Sequence, residues 1–179
     1  MKRKLFACSL VAICLSVIVG CTIAFFTSEE KAENTITAGN IEIDLLESVD
    51  SEEKISVMPG TDVRKVVQVK NVGDHPAYIR VKVSKEIELA ENQQGQTDPN
   101  LIGVDVNTDF WTEKDGFYYY NGVLEAGEVS EPVFTKIGFS IDMGNMYQNS
   151  TAVVNTNAYA VQSENNGVAP LEAAGWPTE

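Results

Sequence analysis

Between Ile41 and Gln162 the apolar residues of this 179-residue chain recur at every second position, and nowhere do they sustain the three-and-four spacing of an amphipathic helix. Side chains that alternate across a backbone bury one face and wet the other only in a strand, so this period commits the chain to an all-β fold. Ile41, Ile43 and Leu45 alternate with Glu42 and Asp44; Val63, Val67 and Val69 share a face; Ile79, Val81 and Val83 oppose Arg80 and Lys82. Val133, Thr135, Ile137, Phe139 and Ile141 read as the longest alternating strand, and residues 151–162 as the last, with Ala152, Ala158 and Ala160 on one side. The breaks carry turn chemistry. Gly73 and Pro76 interrupt the run after Asn71, and Asn121-Gly122 follows Phe117-Tyr118-Tyr119-Tyr120 as the strongest local hairpin signal, because a type I′ turn needs positive φ at both positions. Residues 86–108 read as a long polar connection, and residues 169–174 as one helical turn in a tail. Strands of this length separated by turns predict an antiparallel β-sandwich.

The first residues decide where such a domain goes. Lys2-Arg3-Lys4, the apolar run 5–20 and Thr22-Ile23-Ala24 are the basic, apolar and small-residue parts of a secretory signal peptide. A signal peptidase needs small side chains at the residue before the cut and two before that, which Thr22 and Ala24 supply, so the mature chain is expected to begin at Phe25. Two other readings stand beside it: lipidation at Cys21 after Ile18-Val19-Gly20, or an uncut anchor, since residues 5–26 just span about 30 Å of hydrocarbon. The expected organisation is a signal segment 1–24, an N-terminal assembly segment 25–40, a sandwich 41–163 and a tail 164–179. Cys8, Cys14 and Cys21 all leave with the signal, so the mature fold must hold by burial and hydrogen bonds without disulfides. The same cut removes Lys2, Arg3 and Lys4, leaving 26 acidic residues against 10 basic ones, a formal −16 that repels nucleic acid and anionic lipid. Contact with a membrane is expected only through the precursor's signal segment.

Ala24-Phe25-Phe26-Thr27-Ser28-Glu29-Glu30, then Asn34-Thr35-Ile36-Thr37-Ala38-Gly39-Asn40, then Met58-Pro59-Gly60, Lys70-Asn71-Val72-Gly73, Ala77-Tyr78-Ile79-Arg80-Val81, Ala158-Tyr159-Ala160-Val161-Gln162 and Gly175-Trp176-Pro177 follow one another in an order that resembles the TasA, camelysin and BsaA group. These are Gram-positive exported proteins processed by a dedicated peptidase, SipW, and the likeness is closest to the BsaA-like biofilm matrix proteins. The resemblance implies a jelly-roll variant of the sandwich, export through a SipW-type peptidase, and a homopolymer joined by strand exchange, with an accessory matrix or anchoring protein as a further partner. Phe25, Phe26, Thr35, Ile36 and Thr37 are then the assembly strand. The segment has strand propensity and little of its own to bury.

The residues argue against most chemistry. A zinc peptidase needs two or three imidazoles and a carboxylate base, and His75 is the one histidine. No serine lies in a glycine-flanked elbow. Asp105-x-Asn107-x-Asp109 opens like a calcium loop but has Phe110 where the loop needs glycine and Gly116 where it needs glutamate; Asp98, Asp105 and Asp109 remain as acidic candidates. Trp111 and the run 117–120 read first as core packing, with a carbohydrate-stacking platform as the alternative, on which either Phe117 and Tyr119 or Tyr118 and Tyr120 face outward. No cofactor, metal or catalytic residue is expected, and a structural fibre protein is the reading to test. A camelysin-type metallopeptidase and a monomeric adhesin or ligand-binding module are its alternatives.

Overall fold

The alternation resolves into strands distributed over two packed sheets. The computed structural model describes residues 35–37, 41–49 and 55–177, within the compact unit Asn34–Glu179. The segment expected as a signal helix and the residues around the expected cut, Thr22, Ala24, Phe25 and Phe26, lie outside the described residues. In chain order the strands are β1 (Thr35–Thr37), β2 (Ile43–Val49), β3 (Ile55–Ser56), β4 (Asp62–Asn71), β5 (Ala77–Glu88), β6 (Ile102–Val104), β7 (Trp111–Lys114), β8 (Phe117–Tyr120), β9 (Phe134–Phe139) and β10 (Thr151–Gln162). One sheet runs β1-β10-β5-β8-β7, with β3 also on β10; the other runs β2-β4-β9-β6. The chain changes sheet at almost every step, as in a jelly roll. All pairings are antiparallel except β1 with β10, which is parallel.

The core lies where the inward faces meet. Val67, Val69 and Ile137 from one sheet and Ile79, Val81, Ala158 and Ala160 from the other are fully buried, and each of the larger ones contributes about 1.5–3 kcal/mol by leaving water. Trp111, packed at 5.1 Å against Tyr120, closes the β7 side and donates its indole N–H to Glu131 O. Asn71, wholly buried at the end of β4, donates from Nδ2 to His75 O and Leu124 O and accepts Gly73 N–H at Oδ1. That one amide ties the β4–β5 turn to the strand-like segment at Leu124. At the opposite end Met58-Pro59-Gly60-Thr61 turns with Gly60 at φ 74°, and Thr61 donates back to Met58 O, the geometry for which proline followed by glycine is suited.

Several local expectations give way. β5 extends to Glu88 with Ile87 buried, and Ile102 in β6 is also buried, so residues 86–108 contain sheet structure as well as connection. The hairpin of β7 and β8 turns at Asp115-Gly116, whose φ values of 54° and 79° are those of a type I′ turn. Asn121-Gly122 instead follows β8, where the Asn121 amide N–H donates to Phe110 O and its side chain meets Thr112 and Asp109. β9 is shorter than β5 and β10. Its register against β4 shifts between Arg64 and Val67, which lets adjacent Val133 and Phe134 both be buried while Ile141, beyond the strand, is 82 % exposed.

Candidate functional site

β10 is the strand to which the N-terminal segment attaches. Its sequence, TAVVNTNAYAVQ, sends Ala152, Val154, Thr156, Ala158 and Ala160 inward. One flank is covered along its whole length by β5, from Thr151 opposite Glu88 to Gln162 opposite Ala77. The other is covered only at its ends among the described residues: β3 pairs with Thr151 and Ala152, and β1 with Ala158, Tyr159 and Ala160. Thr35, Ile36 and Thr37 are thus brought to this flank by backbone pairing, Ile36 in register with Tyr159.

Two polar groups lie beside the uncovered stretch of β10. Lys65, on an inward position of β4, is 7 % exposed; its Nζ reaches the other sheet to donate to Val154 O at 3.1 Å and pairs at 2.9 Å with Glu47 of β2, the neighbouring strand of its own sheet. The Thr156 hydroxyl is buried without a hydrogen-bond partner. A lysine set against a sheet flank is a common guard against unwanted strand addition.

A second concentration of functional groups lies on the outer face of the same sheet. Phe117 and Tyr119 face outward, while Tyr118 and Tyr120 pack toward the core; burial, reinforced by Glu113 and Glu128 respectively, pushes the phenols of Tyr118 and Tyr120 above their ordinary range. Arg80 stands between its cross-strand neighbours Tyr119 and Tyr159. Its guanidinium lies 3.9 Å from the Phe117 ring centroid and 4.8 Å from that of Trp176, brought there by the tail. Of the two alternating pairs the sequence offered, Phe117 and Tyr119 are therefore the outward one, and they are already covered by Arg80 and the tail. Nothing in the local pattern pointed to Arg80, Lys65, Trp176 or Pro177; each acquires its role from a partner distant in the chain.

The acidic candidates are occupied otherwise. Asp105 accepts Thr135 N–H, Thr135 Oγ1–H and Lys136 N–H within 2.8 Å. Burial tends to raise its pKa, but those hydrogen bonds outweigh it and hold the carboxyl below its ordinary 3.8. Asp98 caps the short 3-10 helix Pro99–Leu101 through Asn100 N–H, and Asp109 contributes its backbone carbonyl to Asn121. His75 is exposed in the β4–β5 turn beside Asp74, and among the described residues no three His, Cys, Asp or Glu side chains converge to hold a metal. The donor set does not fit a catalytic zinc. No described helix is long and apolar enough to cross a membrane.

The family described as camelysin metallo-endopeptidase matches residues 1–169 of this chain. No curated protein and no solved structure matches it.

Proposed function

Because the chain belongs to the camelysin family, which includes the TasA-like proteins, we propose that it is a secreted structural protein that polymerises into extracellular fibres of a biofilm matrix or cell surface. Cleavage between Ala24 and Phe25 by a SipW-type peptidase frees Phe25 and Phe26 from the apolar run, and residues 25–37 serve as the strand that joins copies. The observation that carries this reading is the parallel pairing of β1 with β10: the N-terminal segment adds by backbone hydrogen bonds to a flank that, among the described residues, is covered only at its ends. A segment that pairs this way within one molecule can pair the same way with a neighbour, since main-chain pairing is indifferent to which copy supplies it. Donor and acceptor surfaces differ, so the contact is head-to-tail and propagates. No catalytic role is assigned, in keeping with the donor set around His75.

Mature protein starting at Phe25 is expected to form filaments visible by electron microscopy. Deletion of residues 25–37 is expected to leave a folded monomer, and Phe26→Glu and Ile36→Glu to weaken assembly. Fibres of unchanged width and repeat from the deletion variant would move the contact to another surface. Chelator-sensitive cleavage of casein by monomeric protein would replace the structural reading with the peptidase one.

A further inference from the structure

The tail after β10, which runs past the end of the family match at residue 169, does not trail away. Ser163 donates through both N–H and Oγ–H to Pro76 O. Asn166 then staples the tail into a loop, donating to Gln162 O and Ala174 O and accepting Ala174 N–H. Gly175, at φ 75°, turns the last residues onto the outer face of the sheet. There the Trp176 ring meets Tyr119 edge-on at 5.6 Å and covers the Arg80 guanidinium, and Pro177 O accepts Arg80 Nη2–H at 3.0 Å.

The two halves of this contact are unequal. Arg80, Phe117, Tyr119 and Tyr159 come from β5, β8 and β10, three adjacent strands, and are positioned by the sheet itself. With the tail in place, Tyr159 and Tyr119 are almost wholly buried, and Arg80 Nε is enclosed without a hydrogen-bond partner. Such a group is a preorganised receptor: a planar cation between ring faces, asking for one more acceptor oxygen and an aromatic cover. The tail half is three residues on a glycine hinge, with Trp176 only partly buried. It behaves as a ligand on a tether.

We propose that this outer face is a docking site for a Trp-Pro tail segment, filled in the single molecule by the chain's own tail and taken by the tail of a second copy when copies are held side by side. Released from its staple, the tail from Ser163 to Trp176 extends about 45 Å, roughly the diameter of a domain of this size, so the neighbour's site is within reach. In dilute solution the tether gives the chain's own tail an effective concentration of about 1 mM and the internal contact wins. In a polymer a neighbour's tail reaches a comparable local concentration and competes. The second-copy step rests on the fibre reading; the docking step does not.

The test uses the full mature chain in its monomeric fraction. Trp176→Ala empties the site, and a fluorescein-labelled peptide of residues 173–179 is titrated by anisotropy. Saturable binding with a Kd of about 10–100 µM is expected, at least tenfold weaker to wild type, whose own tail competes, and lost in the Trp176→Ala/Arg80→Ala double variant. A peptide with alanine in place of the tryptophan is expected not to bind. No saturable binding up to about 1 mM by a Trp176→Ala chain that unfolds cooperatively overturns the proposal, as does binding indifferent to Arg80. Saturation by a uronate oligosaccharide but not by the peptide assigns the face to an anionic glycan and overturns the peptide occupant. The second-copy step is read by mixing Trp176→Ala chains, which have a site and no ligand, with Phe117→Ala chains, which have a ligand and a damaged site. A mixed dimer in sedimentation, with each variant monomeric alone, is expected; two unmixed monomers overturn that step while the peptide result stands.

Discussion

Asn71→Ala tests how the sandwich end at the β4–β5 turn is held. The side chain is fully buried and makes three hydrogen bonds, and each of its partners has a different fallback. Leu124 O still accepts Ala77 N–H, and Gly73 N–H still donates to Glu42 O; His75 is exposed, so its carbonyl can turn to water. No partner is left wholly orphaned, which puts each lost bond near the low end of the range, at about 0.5–1 kcal/mol. The amide-sized hole adds about 1 kcal/mol. A loss of about 3 kcal/mol follows, or a fall of about 6–12 °C in Tm for a domain of this size. Asn71→Asp sharpens the test, because a carboxylate cannot donate to His75 O or Leu124 O and is buried facing both. Its folded-state pKa is raised above the unfolded value of about 3.9. The penalty is therefore absent well below pH 4 and grows as pH rises toward the folded pKa, so this variant gains on Asn71→Ala as the solution is acidified. Urea denaturation of mature protein at several pH values measures both. A loss under about 1 kcal/mol for Asn71→Ala, or an Asn71→Asp variant whose deficit does not change with pH, would refute the account of this turn.

Two further perturbations follow from polar groups whose partners are now known. Asp105→Asn keeps the shape but removes a carboxylate held below its ordinary pKa by Thr135 and Lys136; a depressed acid stabilises above its unfolded pKa and loses that contribution as pH falls through the folded one, so wild type and variant should differ at pH 7 and converge below about pH 3.8, as read from denaturation midpoints. Lys65→Met combined with Glu47→Gln forms a double-mutant cycle across the 2.9 Å pair; a coupling of about 0.5–1.5 kcal/mol is expected for a pair with one end buried, and strict additivity of the two single changes would remove Lys65 as an electrostatic tie.

What the sequence revealed depended on whether a residue's role was local. Alternation in residues 151–162 put Ala152, Ala158 and Ala160 on one side, which the structure shows to be the inward one, because a two-residue period is a property of the strand alone. The hairpin turn was misplaced because Asp115-Gly116 and Asn121-Gly122 offer similar turn chemistry six residues apart; the choice falls to whichever leaves Trp111 opposite Tyr120 and the indole buried. Ile141 continues the alternation of β9 past the point where Ser140 N–H donates to Leu101 O and the chain turns, so the period outlasts the strand. Lys65 occupies an inward slot that a lysine ordinarily avoids, and the Val154 carbonyl of the opposite sheet together with Glu47 of the neighbouring strand explains it. Arg80 was correctly read as outward, yet its cover lies 97 residues away in Pro177 and its neighbour Trp176, a contact that no periodicity encodes.

The N-terminal strand β1 and the outer-face group that the tail covers share one residue of β10. Tyr159 stands in register with Ile36 of β1 on the flank, and its ring floors the outer-face group beneath Arg80, with guanidinium and ring centroid 5.3 Å apart. A strand supplied by a neighbour in the register of β1 therefore runs past the same tyrosine that helps to form the tail's dock. If a neighbour supplies that strand, tail exchange is expected to follow strand exchange. On this geometry the two contacts would act between the same pair of copies, and loss of Trp176 would loosen a filament along its length without preventing it from starting.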